Sequence, residues 1–353
     1  MVLRIGLIGC GGIMEGHVEG WKAVRDRAEI VAVSDVVRAN AERRIAQAGV
    51  SGIPIYEDYH DLLADKSIDA VDIALPHHLH RDSIVAAAEA GKHILSEKPF
   101  CRTLAEADDI AAAVKKSGVR MMAAHNQIFF PAVLQARQMI MNGDLGKIYL
   151  INSADCYAHR APLDLNKANW AKPVVRENTT WRGDPEKMGG GELIDTGYHP
   201  IYRLLFLAGQ EPVEVSAVLG TYRLPLKRED TAHLLCKFAD GMVGRVYTSW
   251  GSQPFFGRNI LFNIIGEAGQ LWGEIEKLWY LPINFQTPAE VEFKGWDYDR
   301  SFKAEIQHFC DAIEGGYEPL SSVAEGTAAL RVIMAAYRSA EQGIVASPVP
   351  GLG

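Results

Sequence analysis

The first 35 residues constrain the fold more than any other stretch of the chain. Residues 2–8 (VLRIGLI) form an apolar, branched run that stops at Gly9-Cys10-Gly11-Gly12-Ile13-Met14, and a helical pattern follows over about 12–26. A second apolar run at 30–35 (IVAVSD) closes on Asp35. Strand, glycine turn, helix and a second strand ending in an acid make the βαβ unit that holds a dinucleotide. Gly9 allows the tight turn, Gly11 lets the backbone approach a pyrophosphate, and the helix aims its N-terminal amides at the phosphates. Gly12, Ile13 and Met14 complete the turn, with Met14 standing where the fingerprint has its third glycine. Asp35 lies 21 residues past Met14, close to the ~20-residue spacing of a ribose-binding acid. A carboxylate there accepts hydrogen bonds from both ribose hydroxyls and repels a 2′-phosphate, so NAD(H) is favoured over NADP(H). Arg38 pulls the other way, because a nearby Arg accommodates a 2′-phosphate.

Apolar runs continue at 69–75 and 93–95, separated by helical patterns at 38–48, 80–91 and 103–117. Such runs suit strands buried on both faces of a parallel sheet. An α/β Rossmann domain over residues 1–125 follows from the alternation. The texture changes near Gly146. A strand pattern at 147–155 precedes an irregular stretch at about 157–188, then a helix at 196–208. Short strands follow at 213–219, 231–238, 243–250, 258–265 and 270–276, with Asp240-Gly241 as a hairpin turn. Helices at 301–314 and 322–341 close the chain. Consecutive strands predict a second, α+β domain over 126–353 with a mostly antiparallel open sheet.

The formal net charge of −8 argues against a nucleic-acid surface. Five widely spaced cysteines without a Cys-x-x-Cys pair argue against a disulfide framework or zinc site. Absence of a leader-like start or an apolar run of membrane length points to a cytoplasmic protein without membrane contact. His77, His78 and His80 have no carboxylate or Cys partner at helpful spacing, so no metal site is expected.

At Glu97-Lys98-Pro99 the chain resembles the Gfo/Idh/MocA oxidoreductases, the family of glucose–fructose oxidoreductase and the inositol dehydrogenases. The resemblance covers essentially the whole length. It rests on Gly9-Cys10-Gly11-Gly12-Ile13 with His17, on Leu75-Pro76-His77-His78-Leu79-His80, on Ala90-Gly91-Lys92-His93 and on Glu97-Lys98-Pro99. Trp181-Arg182 and Gly189-Gly190-Gly191-Glu192-Leu193-Ile194-Asp195-Thr196-Gly197-Tyr198-His199 complete it. It implies an active site between the domains and an open sheet that forms a dimer or tetramer interface. It also implies cofactor contacts from Leu75, Pro76, His77, His80, Glu97 and Lys98, and a catalytic constellation of Lys98, Asp195 and His199. The residue types suit alcohol oxidation: His199 as general base, Lys98 polarising the substrate oxygen, Asp195 orienting either. Pro200 directly after His199 requires that the helix start nearby. Two departures stand out: Tyr202 where many relatives have an acid, and Ile128 and Phe129 after Asn126-Gln127, where relatives often have an Arg nearby in an Asn-x-x-Arg-Phe stretch. Tyr157, His159, Trp170, Trp181 and Arg182 offer aromatic faces and an Arg fork for a sugar ring, with Trp181-Arg182 serving either substrate or cofactor. Asn126 and Tyr198 are further substrate candidates. The expected activity is NAD(H)-dependent oxidation or reduction of a cyclic polyol, sugar or sugar derivative. The alternatives are a glycoside-cleaving enzyme that uses NAD transiently and a non-catalytic nucleotide-sensing regulator.

Overall fold

The computed structural model describes residues 2–156, 181–253 and 258–349. Its N-terminal half alternates β1 (Leu3–Ile8), α1 (Met14–Ala23), β2 (Ala28–Ser34), α2 (Arg38–Ala48), β3 (Ile55–Tyr56), α3 (Tyr59–Ala64) and β4 (Ala70–Ile73). It continues through α4 (His77–Glu89), β5 (His93–Glu97), α5 (Leu104–Ser117), β6 (Met121–Ala124) and a 3₁₀ turn at Asn126–Phe129. Next come α6 (Pro131–Asn142), β7 (Ile148–Cys156), α7 (Pro185–Met188), α8 (Glu192–Asp195) and α9 (Tyr198–Ala208). Strands β8 (Glu214–Gly220), β9 (Thr231–Lys237), β10 (Val243–Ser249), β11 (Phe262–Gly266), β12 (Gly269–Gly273), β13 (Lys277–Pro282) and β14 (Ala289–Glu292) follow. The long helices α10 (Tyr298–Gly315) and α11 (Val323–Gln342) come last.

One compact unit comprises Met1–Phe129 and Asp297–Thr327, the other Phe130–Trp296 and Ala328–Gly353. In the first, six parallel strands lie in the order β3-β2-β1-β4-β5-β6. This is the doubly wound order, whose ligand crevice lies at the carboxyl ends of the strands where the order reverses, beside β1 and β4. Ile5, Leu7 and Ile8 of β1 and Val71 and Ile73 of β4 are fully buried, as the apolar runs require.

The second domain expected over 126–353 is interrupted. The segment Asp297–Thr327, carrying α10, belongs to the first unit. The physical reason is side-chain scale packing. Helix α10 buries Phe302, Ile306 and Phe309 on one face. On α1, a Cβ at Gly16 would lie 2.7 Å from the Phe302 ring, and one at Gly20 would lie 2.5 Å from Ile306 Cδ1 and 2.9 Å from the Phe302 carbonyl. The two glycines let the helices meet backbone to side chain. The first unit also keeps Asn126, whose side-chain amide donates to Ser301 Oγ at 2.9 Å.

The second unit is an eight-stranded sheet, β14-β13-β12-β11-β7-β10-β9-β8. All its described pairings are antiparallel except β7 with β10. The β9–β10 hairpin turns at Asp240-Gly241: Gly241 has φ 87°, and Asp240 Oδ1 accepts from the Met242 amide at 3.0 Å. Helix α9 packs on β7 and β10 through a fully buried Arg203, which donates to Ser153 Oγ at 3.1 Å and to the Ala154 carbonyl at 2.7 Å.

Candidate active site

In the first unit the glycine turn is built from both ends. Gly9 has φ 85°, and a Cβ there would sit 2.5 Å from the Ala74 carbonyl oxygen at the end of β4, so no other residue fits. Nothing lies within 4 Å of a Cβ placed at Gly11 or Gly12. No side chain caps the N-terminus of α1; the Glu15 and Gly16 amides bond to the Gly12 and Ile13 carbonyls at 3.1 Å, so an anion here would be held by the amides that precede them. The buried Arg44 braces the turn from below, donating to the Gly11 carbonyl at 2.8 Å. Cys10 is buried, and burial, followed by the charge of Asp35, pushes its thiol up to about 12. It packs here and is not a reactive thiolate. Met14 is fully buried while Ile13 is 44 % exposed. Gly16 and Gly20 serve a different contact, the close packing of α1 on α10.

Asp35 stands half-buried at the end of β2, its Oδ2 accepting from the Cys10 amide and its Oδ1 from the Val37 amide, each at 2.7 Å. Arg38 points to solvent and pairs with Glu42 one turn on, at 3.0 Å. The residues present therefore fit a dinucleotide: open glycine backbone, a helix start without a side-chain cap and an acid beside it.

At the end of β5 the Glu97-Lys98-Pro99 segment is tied to the Leu75-Pro76 turn by one side chain. The fully buried His80 ring lies 2.7 Å from the Pro99 carbonyl and 2.7 Å from the Leu75 carbonyl. His77 is buried beside it, with ring centroids 5.9 Å apart. Among the described residues, no three His, Cys, Asp or Glu side chains group to hold a metal ion. Beneath Lys98 the buried His17 spans two carboxylates. Its Nδ1 is 3.0 Å from both Asp72 oxygens and its Nε2 is 3.0 Å from Glu97 Oε1. Burial opposes charge on His17, but Asp72 and Glu97 outweigh it and hold its pKa well above the ordinary value. Burial likewise opposes charge on Glu97, yet the hydrogen bond and charge of His17, with the charge of Lys98, hold it below the ordinary glutamate range.

In the second unit, helical dihedrals run on from α8 through Thr196 (φ −76°, ψ −39°) and Gly197 (φ −60°, ψ −16°) into α9. Asp195 and His199 therefore keep the four-residue spacing that shares a helix face. Gly197 is pressed onto the preceding turn, where a Cβ would meet the Leu193 carbonyl at 2.6 Å. Pro200 falls in the first turn of α9, where a missing amide costs no intrahelical bond. Asp195 is 4 % and His199 8 % exposed. Arg182 Nε donates to Asp195 Oδ2 at 2.7 Å, and its guanidinium lies 4.4 Å over the Trp181 ring. Trp181 in turn packs on Met188, Leu224 and Trp250, and Trp250 Nε1 donates to Thr196 Oγ1 at 2.7 Å. Trp181 and Arg182 are thus part of the setting of Asp195.

Two of the substrate candidates are buried. Tyr198 is fully buried in the second unit. Asn126 is buried in the first unit on Ser301. Tyr157, His159 and Trp170 lie outside the described residues. Sequence reasoning missed Arg44, Asp72, Glu192, Arg203 and Glu305. Burial pushes the Glu192 and Glu305 carboxyls well above the glutamate range, and brings Arg203 down to about 10 against the opposing charge of Asp155. Asp72 carried a visible signal, an acid in the middle of the apolar run DAVDIAL.

Residues 3–125 match the oxidoreductase family with the NAD-binding Rossmann fold, and residues 133–272 match the Gfo/Idh/MocA C-terminal domain. The chain is 25 % identical to a myo-inositol 2-dehydrogenase of Thermotoga maritima, over 96 % of this chain and 97 % of the relative. It is 28 % identical to a D-xylose 1-dehydrogenase (NADP(+)) of Haloferax volcanii, over 97 % and 98 %. A levoglucosan dehydrogenase solved in complex with NADH and levoglucosan superposes with a TM-score of 0.87 at 26 % identity, covering 99 % of this chain and all of that one.

Proposed function

The chain belongs to the Gfo/Idh/MocA oxidoreductase family, and from that premise we propose that it moves hydride between NAD(H) and a secondary alcohol of a cyclic polyol, sugar or sugar derivative. The observation that carries the reading is the setting of Asp195 and His199: two nearly buried side chains on one helical face, the acid gripped by Arg182. A binding protein has no use for an acid and a base held out of water at that cost.

The nicotinamide, when bound, supplies the hydride acceptor. His199 takes the hydroxyl proton as hydride leaves, its ordinary pKa of about 6.5 lying near operating pH. Lys98 stabilises the negative charge that develops on the oxygen. Asp195 orients the base and a neighbouring hydroxyl, while Arg182 keeps its carboxylate in one orientation. On the cofactor side, Gly11, Gly12 and the α1 amides take the pyrophosphate and Asp35 takes the ribose. Asp35 makes NAD(H) the preferred form over NADP(H), and Arg38, already paired with Glu42, does little to offset it.

The test is a panel of myo-inositol, scyllo-inositol, levoglucosan and D-xylose with NAD⁺, read as net NADH. His199→Ala should lower turnover by roughly 10² or more, the usual contribution of a positioned base, with NADH affinity measured by fluorescence nearly unchanged. Near-normal turnover in that variant would remove His199 from the mechanism. Release of free sugar from a glycoside without net NADH would select the transient-oxidation chemistry instead.

A further inference from the structure

The first unit buries three ionisable side chains in contact, His17, Asp72 and Glu97, with a fourth, Glu305, near enough to feel their charges. His17 on α1 is wholly buried between Asp72 of β4 and Glu97 of β5. The Trp21 indole, one turn along α1, donates to Asp72 Oδ2 at 2.7 Å. The Phe302 ring covers the imidazole at 5.4 Å between centroids. Glu97 turns its second oxygen outward to accept the Lys98 backbone amide at 2.9 Å. From α10 comes Glu305, fully buried, with both carboxyl oxygens lacking a hydrogen-bond partner among the described residues.

Charge balance decides the states. A carboxylate only accepts, so an imidazole with an acid at each nitrogen must donate from both. That makes His17 an imidazolium. Asp72 and Glu97 then supply two negative charges against two positive ones, His17 and Lys98. A third buried anion would be uncompensated and very costly, which is why Glu305 stays neutral; its carboxyl is held well above the glutamate range by burial first and by the charges of Glu97 and Asp72 after it.

We infer that His17 is a positioning residue for the reaction: as an imidazolium clamped between Asp72 and Glu97, it fixes Glu97 as the anchor and counter-charge of Lys98. The inference rests on the reading of Lys98 as the cation that polarises the substrate oxygen. The chain of cause runs from helix α1, through one ring and Glu97, to the lysine that follows β5. Without the imidazolium, Glu97 is a carboxylate in an apolar site with less to hold its charge, and it takes up a proton at higher pH. Lys98 then loses the fixed negative charge beside it.

Two measurements test this on the full-length protein. In wild type labelled with ¹⁵N-histidine, and assigned by the signals that vanish in His17→Gln, both ring nitrogens of His17 should stay protonated through pH 8. A singly protonated ring at pH 7 overturns the inference and needs no substrate to observe. Turnover of His17→Gln is then followed against pH with NAD⁺ and whichever of myo-inositol, levoglucosan and D-xylose the wild type oxidises. The acid limb should move up by about one pH unit or more, the usual effect of removing an opposite charge from a carboxylate, and kcat should fall more than KM changes. A uniform loss with an unmoved limb is what damaged packing alone produces, and it overturns the inference. Lys98→Ala separates the two claims. Full turnover in Lys98→Ala overturns the reading of the active site itself. A dead Lys98→Ala beside an unmoved His17→Gln profile overturns only the role of His17.

Discussion

Asp35 holds two backbone amides with one carboxylate, those of Cys10 and Val37. The same group that should read the ribose therefore also fixes the turn that should hold the pyrophosphate. Asp35→Ser should narrow the preference for NAD(H) over NADP(H) in calorimetry by removing both acceptor and repulsion. It should also lower the melting temperature, because hydrogen bonds to a charged acceptor contribute about 1.5–3 kcal/mol each. Equal binding of both cofactors by the wild type would sink the preference. A second prediction concerns Glu305, whose raised pKa has a definite sign. A carboxyl whose folded pKa lies above its unfolded value contributes stability that is fully present below the unfolded pKa of about 4.3 and is lost as pH rises towards the folded pKa. Glu305→Gln keeps the shape and cannot ionise. It should therefore melt above wild type at pH 8, with the difference shrinking towards pH 4; a difference independent of pH would mean that Glu305 is not the neutral acid described. Neither residue 72 nor residue 305 could be assigned from sequence, since the pairing that makes Asp72 and Glu305 members of one cluster joins elements far apart in the chain.

At the scale of elements, the most informative contact is α1 on α10. A Gly→Ala change in a helix ordinarily gains about 1 kcal/mol of propensity. At Gly20 the added methyl would press on Ile306 Cδ1 at 2.5 Å and on the Phe302 carbonyl at 2.9 Å. The first neighbour is the end of a side chain and the second is backbone, which yields little. Overpacking typically costs 1–3 kcal/mol, so Gly20→Ala should be destabilising on balance, read as a lower denaturant midpoint. Gly52, with nothing within 4 Å of its Cβ position but a φ of 73°, is not a fair control; an exposed α5 position is. The central strands are legible because burial on both faces writes a continuous apolar run, as in β1 and β4, whereas helices α3 and α6 are not read from the sequence. Strand β3 has two residues, and β14 is exposed along its length, so neither leaves a hydrophobic pattern to read. The proposed catalytic motif is visible as residue types in order, and the helical run through Thr196 and Gly197 follows the four-residue spacing. The Arg182–Asp195 pair is not, because no sequence pattern around Arg182 tells which side chain the guanidinium reaches.

For the molecule as a whole, the outer face of the second unit's sheet suggests company. Val218 on β8 is 62 % and Leu235 on β9 is 52 % exposed, and with Ser216, His233, Arg245 and Tyr247 they line one groove of about 760 Å³. An open sheet with an apolar face needs covering. We expect a dimer or a dimer of dimers in sedimentation, shifted towards monomer by Leu235→Lys; a wild-type monomer at micromolar concentration would rule it out. Among the described residues no helix is long and apolar enough to cross a bilayer. The interleaved course of the chain bears on how the protein is made. The cofactor-facing unit ends at Phe129 and resumes at Asp297. A ribosome adding about 5–20 residues per second spends on the order of 10–30 s on the stretch between. Through that interval α1 has emerged with Gly16 and Gly20 bare and His17 lacking its Phe302 cover. The nascent Rossmann sheet is then a half-built floor, and a chaperone that shields it, or a pause that prolongs its exposure, acts on yield before any substrate is met.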